Sequence, residues 1–310
     1  ELGLRLFFDP RLSGSGQIAC ASCHDPELGW ADGRAVSYGH ERQLLRRNAP
    51  SLVNTAYATS WFWDGRAASL EDQAMAVIHN PQEMKGDKDQ IVRTIAADPV
   101  YPPLFREAFG DEKVTFKRIT QALATYERSV TTEGYTPFDR FLRGEKDALS
   151  DAAVRGLHLF RTKARCLNCH NGPNFTDNKF HNLGLTYYGR ELEDLGRYNV
   201  TKDPQDVGKF RTPSLRNVAR TAPYMHNGLF DLDGVINMYD AGMGEQRRPE
   251  KFKDDPLFPV KSPHIRPLGL NQREKEDLKA FLHSLTERRR RVRVPKAEAK
   301  SKIREVRSEK

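Results

Sequence analysis

"CASCHDP", residues 20–26, places two cysteines and a histidine within five positions, and "CLNCHNG", residues 166–172, repeats the frame 146 positions later. Between them the two stretches hold all four cysteines of the chain. C-x-x-C-H is the attachment frame of c-type haem. Each thiol adds to a vinyl group of the porphyrin, and the histidine after the second cysteine is held beneath the iron as proximal ligand. A zinc site built from Cys20, Cys23, Cys166 and Cys169 gives no reason for a histidine in the same place twice. Redox C-x-x-C pairs belong in a thioredoxin-like βαβ context, which this sequence lacks. The chain therefore reads as holding two covalent haems c, with His24 and His170 as proximal ligands.

The rest of the composition suits that reading. Only 38% of the 310 residues are hydrophobic and 30% are charged, yet aromatic residues are spread along the length. A haem brings its own apolar body, so a loop-rich module can fold around it with few aliphatic side chains. The net charge of +8 does not indicate a nucleic-acid partner, because residues 287–310 carry eleven Lys or Arg against four Glu. The body is nearly neutral, and the basic end reads as a solvated, partly helical tail. No basic stretch, apolar run or cleavage site opens the chain, which reads as a mature or trimmed product. Haem attachment of this type takes place outside the bacterial cytoplasmic membrane, so the expected compartment is the periplasm.

Residues 1 to about 60 are rich in Gly, Pro and Asn and read as loops. Helical periodicity follows. "SLEDQAMAVIHN" opens on Ser69 as N-cap and puts Leu70, Ala74 and Val77 on one face. "DKDQIVRTIAAD" and "TFKRITQALATYERSV" continue the pattern. "SDAAVRGLHLFRTKARC" starts on Ser150 and runs into the second cysteine motif. "GVINMYDAG" is a short helix, and "NQREKEDLKAFLHSL" a longer one with Leu278, Phe281, Leu282 and Leu285 inward. Period-two alternation is scarce. The expectation is an all-α chain with long loops and little sheet: two cytochrome c-like haem domains, 1–145 and 146–286, and a tail, 287–310.

A two-haem protein is either an electron carrier, with strong ligands on both sides of each iron, or an enzyme with one position open or weakly held. Groups that a carrier does not need follow the first motif. His40 lies on a loop, "WFWDGRAASLEDQ" supplies Trp63 and Gln73, and "NPQEM" supplies Glu83. A carboxylate can take a proton from peroxide and return it to the leaving oxygen, and an amide beside it can orient the peroxide. Each residue also has a plainer reading: a solvated acid, a surface amide, core filling beside Trp61, an exposed loop histidine. His79, His158, His181, His264 and His283 read as structural or surface residues.

"LGLRLFFDPRLSGSGQIACASCHDP", "RNAPSLVNTAY", "FWDGRAASLEDQA", "NPQEM" and "RTPSLRNVARTAPYMHNG" resemble the bacterial di-haem cytochrome c peroxidase family, which includes the MauG-type enzymes. The resemblance runs from Glu1 to about Leu285. It implies an N-terminal haem where peroxide reacts, with Glu83 and Gln73 over its distal face, and a C-terminal haem that passes electrons. It implies Trp63 near the path between haems, His40 as a sixth ligand that swings away on activation, and Asn48, Thr221 and Pro223 around an interdomain calcium. The family's spacing from "TAPYMHNG", with one residue fewer, lands the second haem's sixth ligand on Tyr239. Met238 and Met243 are the alternatives, and the unshortened spacing falls on Asp240. Tyrosine there is a MauG trait and methionine a peroxidase trait. Ala164 stands where MauG-type enzymes carry an inter-haem tryptophan, while His40 is a peroxidase trait. The expected function is reduction of hydrogen peroxide to water with electrons from a small cytochrome c or a cupredoxin. The alternatives are MauG-type oxidation of a partner protein's side chains and a di-haem carrier without catalysis. A homodimer is compatible with all three.

Overall fold

Two short helices, each packed against the last long helix of its own half, organise the chain. They are seen in a computed structural model that describes residues 1–244, 248–288, 292 and 293. In chain order the helices are α1 (Leu2–Phe7), α2 (Leu70–His79), α3 (Lys88–Ala97), α4 (Tyr101–Phe109) and α5 (Phe116–Ser129). These are followed by α6 (Pro137–Leu142), α7 (Asp151–Arg161), α8 (Tyr198–Thr201), α9 (Leu232–Asp240) and α10 (Gln272–Ser284). Sheet among the described residues is limited to the antiparallel pair β1 (Phe180–His181) and β2 (Phe210–Arg211). The helical, sheet-poor character expected from the pattern is what the structure has.

The caps are the ones the sequence signals. Ser69 Oγ accepts from the Asp72 N–H at 3.0 Å, and Ser150 Oγ from Ala153 at 3.2 Å. Asn271 and Glu274 form a reciprocal capping box. The inward row of α2 is Leu70, Ala74 and Ile78, with Val77 only half-buried. One segment departs from expectation: residues 1–60 are not all loop, because α1 buries Leu2, Leu6 and Phe7. Its six residues span fewer than two turns, too few for a period to show.

Two hydrophobic clusters form. The first gathers Leu6, Phe7, Ile78, Ile95, Phe105 and Leu123 with their neighbours, from residue 2 to residue 130. The second gathers Phe138, Phe160, Phe175, Leu278 and Phe281, and it extends to Leu285. It draws in Phe138 from α6, ahead of position 146. In each half a glycine permits a close helix crossing. A Cβ on Gly3 of α1 would lie 2.1 Å from the Ala122 carbonyl oxygen of α5, and one on Gly156 of α7 would lie 1.9 Å from that of Asp277 on α10. Backbone cannot yield there as a side chain can. Gly156→Ala is therefore expected to force α7 from α10 and destabilise the fold by about 1–3 kcal/mol, read from denaturant unfolding of the haem-loaded protein. A midpoint equal to the parent's would refute the tight crossing.

The tail expected at 287–310 lies outside the described residues, apart from 287, 288, 292 and 293. Glu287 itself is tied in: its carboxylate accepts the Gly134 N–H at 2.9 Å.

Candidate functional site

Both cysteine motifs take the same local shape. Cys20–Ser22 and Cys166–Asn168 are 3₁₀ turns, and the histidine N–H of each motif donates back to its first cysteine carbonyl, at 3.0 Å for His24 and 2.8 Å for His170. The His24 Nδ1–H donates to the Trp30 carbonyl at 3.0 Å and the His170 Nδ1–H to that of Phe175 at 2.9 Å. That assignment leaves each Nε2 as the bare nitrogen, the arrangement a metal-ligating imidazole needs. Burial lowers the pKa of both rings, which favours the neutral imidazole. The four sulfurs are free thiols here, standing for the thioether sulfurs of attached haem, and none is paired as a disulfide.

Cys20, Cys23 and His24 open onto a cavity of about 350 Å³. Gln73 from α2, Glu83 from the turn after it, and Trp63 line the same cavity. The cysteine turn and the stretch from 63 to 83 thus converge on one space. The Asn80 Nδ2–H donates to Glu83 Oε2 at 2.8 Å and fixes the carboxylate. Burial raises the Glu83 pKa, opposed by the charge of Arg66 and the bond from Asn80. His40 is not part of this wall. It is 8% exposed, its Nδ1 has no partner, and its backbone N–H donates to the Gln82 and Glu83 carbonyls.

Cys166, Cys169 and His170 open onto a second cavity, of about 260 Å³. Of the three candidates for the far side, Tyr239 lines it and Met238 and Met243 do not. Burial drives the Tyr239 phenol pKa well up. Asp240 faces the other way, pairing with Lys275 at 2.7 Å and accepting the Leu270 N–H at 2.8 Å. Met225 also lines the cavity, and so do His181 and His264, which the sequence left as structural. His181 Nε2 lies 2.8 Å from an Asp177 oxygen.

The two cavities share a wall that includes Asn48, Pro50, Thr55, Trp63 and Arg211. The Trp63 Nε1–H donates to the Asn48 carbonyl at 2.9 Å, and the Trp63 carbonyl accepts the Arg211 N–H at 2.8 Å. His226 stacks on Phe210 with centroids 3.6 Å apart and meets Trp63 edge-on at 6.4 Å. Burial brings its pKa down to about 4, so it is neutral. Arg211 is the feature that sequence reading missed. Its Nε has no partner, its Nη1–H donates only to the Thr212 carbonyl at 3.5 Å, no carboxylate pairs with it among the described residues, and burial lowers its pKa. A desolvated cation without a counter-charge is costly, and a carboxylate of a haem bound in either cavity would supply that charge. Asn48, Thr221 and Pro223 all line the second cavity. The Asn48 Nδ2–H donates to the Arg34 carbonyl at 2.8 Å, which commits the amide nitrogen and leaves Oδ1 as an acceptor.

The cysteine–histidine turns, bare imidazole nitrogens and a guanidinium without an acid partner fit two haems. Comparison with known proteins agrees. The family model for di-haem cytochrome c peroxidase matches residues 1–147. The methylamine utilization protein MauG of Methylorubrum extorquens is 41% identical over 288 residues, covering 92% of this chain and 77% of that protein. The chain belongs to the di-haem cytochrome c peroxidase/MauG family. Within the family it is also 37% identical over 314 residues to the cytochrome-c peroxidase IdrP1 of Pseudomonas sp. (strain SCT), covering 92% of this chain and 80% of that one. A solved MauG-like protein associated with microbial copper homeostasis superposes with a TM-score of 0.83 at 35% identity, covering 92% of this chain and 88% of that chain. Family membership makes this protein an oxidoreductase of peroxidase or MauG-like function, and it implies two haems c.

Proposed function

We propose that the protein is a periplasmic di-haem peroxidase that reduces hydrogen peroxide to water, with electrons entering through the second haem from a small cytochrome or cupredoxin. The observation that carries this reading is the convergence of Glu83 and Gln73 on the cavity of Cys20, Cys23 and His24. Cys20 and Cys23 would hold the first haem and Cys166 and Cys169 the second, each haem forming the heart of a cytochrome c-like module. When bound, the first haem supplies the oxidisable iron at which peroxide is reduced. Glu83 takes the proton from peroxide and returns it to the departing oxygen, a role that burial assists by raising its pKa above the ordinary carboxylate range. Gln73 orients the peroxide through its amide. Trp63, in the shared wall, lies on the electron path. Asn48 Oδ1 and the carbonyls of Thr221 and Pro223 offer neutral, hard oxygen donors suited to a calcium completed by water. His40 serves as the resting-state cap only if its loop moves inward.

The position of Tyr239 supports a second reading, MauG-type oxidation of a partner protein's side chains, because phenolate ligation favours oxidised iron. Only a cation at the phenol oxygen offsets the burial that otherwise keeps its proton on. Steady peroxide consumption with a reduced cytochrome is the expected result. A partner protein whose mass changes under peroxide would favour the second reading, and no reaction with peroxide at all would leave a carrier.

A further inference from the structure

Glu127, on α5, is a carboxyl that the proposed reaction does not use. It is 5% exposed and lines the cavity of the first haem motif, and its Oε2 has no partner. Its neighbours cannot satisfy it. Arg128, next to it on α5, is held by Glu71 of α2 through two hydrogen bonds of 2.8 and 2.7 Å. Those two charges are the ones that act on Glu127, while α1 and α3 contribute none. The other carboxyls of the cavity wall besides Glu83 are Asp64 and Asp194, and both are ion-paired with Arg47.

An ionised carboxylate in this place is buried, Arg128 is already paired with Glu71, and none of the wall arginines Arg46, Arg47, Arg66 and Arg211 pairs with it among the described residues, so burial favours the neutral acid. Burial pushes the Glu127 pKa up to about 8. Cys20 is one of the two anchoring thiols, so the Glu127 carboxyl lies in the electrostatic reach of whatever is attached there.

We infer that Glu127 is a proton-binding site coupled to the electron on the first haem: it takes up a proton when that haem is reduced and releases one when it is oxidised. The inference rests on the haem being attached at Cys20 and Cys23. The sign follows from charge. An added electron makes the cavity more negative and strengthens the hold on the proton; its removal weakens it. The electron comes from an electrode or a chemical reductant and the proton from bulk water, and the carboxylate becomes a carboxylic acid with no other bond changed. Between the oxidised-state and reduced-state pKa values, the potential of the first haem falls as pH rises, by up to about 59 mV per tenfold change in proton concentration.

The test is a potentiometric titration of the holoprotein, followed by haem absorbance, over a pH range spanning about 8. The parent and Glu83→Gln are expected to show the falling potential, and Glu127→Gln, nearly the same shape, a flatter one. A slope unchanged in Glu127→Gln overturns the inference. A second measurement does not depend on that variant folding. The reduced-minus-oxidised infrared difference spectrum of Glu83→Gln is expected to gain a carboxylic-acid C=O band on reduction, and absence of any such band also overturns the inference. A chain with no haem mass at Cys20 and Cys23 would instead overturn the reading beneath it.

Discussion

Glu83→Gln is expected to keep both haems and to react with peroxide ~10²-fold more slowly or worse, as loss of a general acid–base typically costs ~10²–10⁴-fold. The amide keeps the shape of the side chain and can still meet Asn80, so packing and haem attachment are spared. What it loses is the ability to accept a proton and give it back. The pH profile separates this role from a structural one. Because burial raises the Glu83 pKa, the protonated acid, which cannot take the peroxide proton, persists to higher pH than an ordinary carboxyl would. The parent rate should therefore fall on the acid side of that raised value, and the acid limb should vanish in the variant. Stopped-flow rates equal to the parent's would remove Glu83 from the mechanism.

Tyr239→Phe should produce the second large effect. If the phenol oxygen is the sixth ligand of the second haem, removing it opens or rearranges that position. The oxidised spectrum then shifts, and the potential of that haem rises, because an anionic ligand favouring ferric iron is gone. Met238→Leu and Met243→Leu should leave both signals unchanged, since neither side chain lines the cavity. Met225→Leu is the necessary companion, because that thioether does line it. Loss of a His/Met signature in any methionine variant, with Tyr239→Phe silent, would assign the protein to ordinary cytochrome-fed peroxidase chemistry.

The parts legible in sequence are those where chemistry dictates spacing. Thioether attachment requires C-x-x-C-H, and Ser69, Ser150 and Asn271 announce helix starts because a side-chain oxygen must take an orphan N–H. The parts that stayed hidden depend on tertiary geometry. α1 and α6 have six residues each, too few to show a period, and α4 has Pro102 and Pro103 in its first turn. Glu127 sits in "ATYERS", where a charged residue between Tyr126 and Arg128 looks solvated until α2 and the cysteine turn close over it. Arg211 looked like an ordinary motif arginine, because nothing local tells that its guanidinium lacks an acid. The preference for Tyr239 over its methionine neighbours rests on family spacing; in the structure its side chain lines the second cavity, and so does that of Met225.

The wall common to both cavities bears on how any set of variants can be interpreted. Asn48, Pro50, Thr55, Trp63 and Arg211 each border both spaces, so a substitution at one of them is never private to one haem. Trp63 and Asn48 are joined by one hydrogen bond, and Trp63 and Arg211 by another. Effects measured at these positions should fail to add. Double-mutant cycles pairing a partition residue with Glu83 on one side and with Tyr239 on the other should both return non-zero interaction energies, whereas a cycle between Glu83 and Tyr239 alone should come closer to additivity.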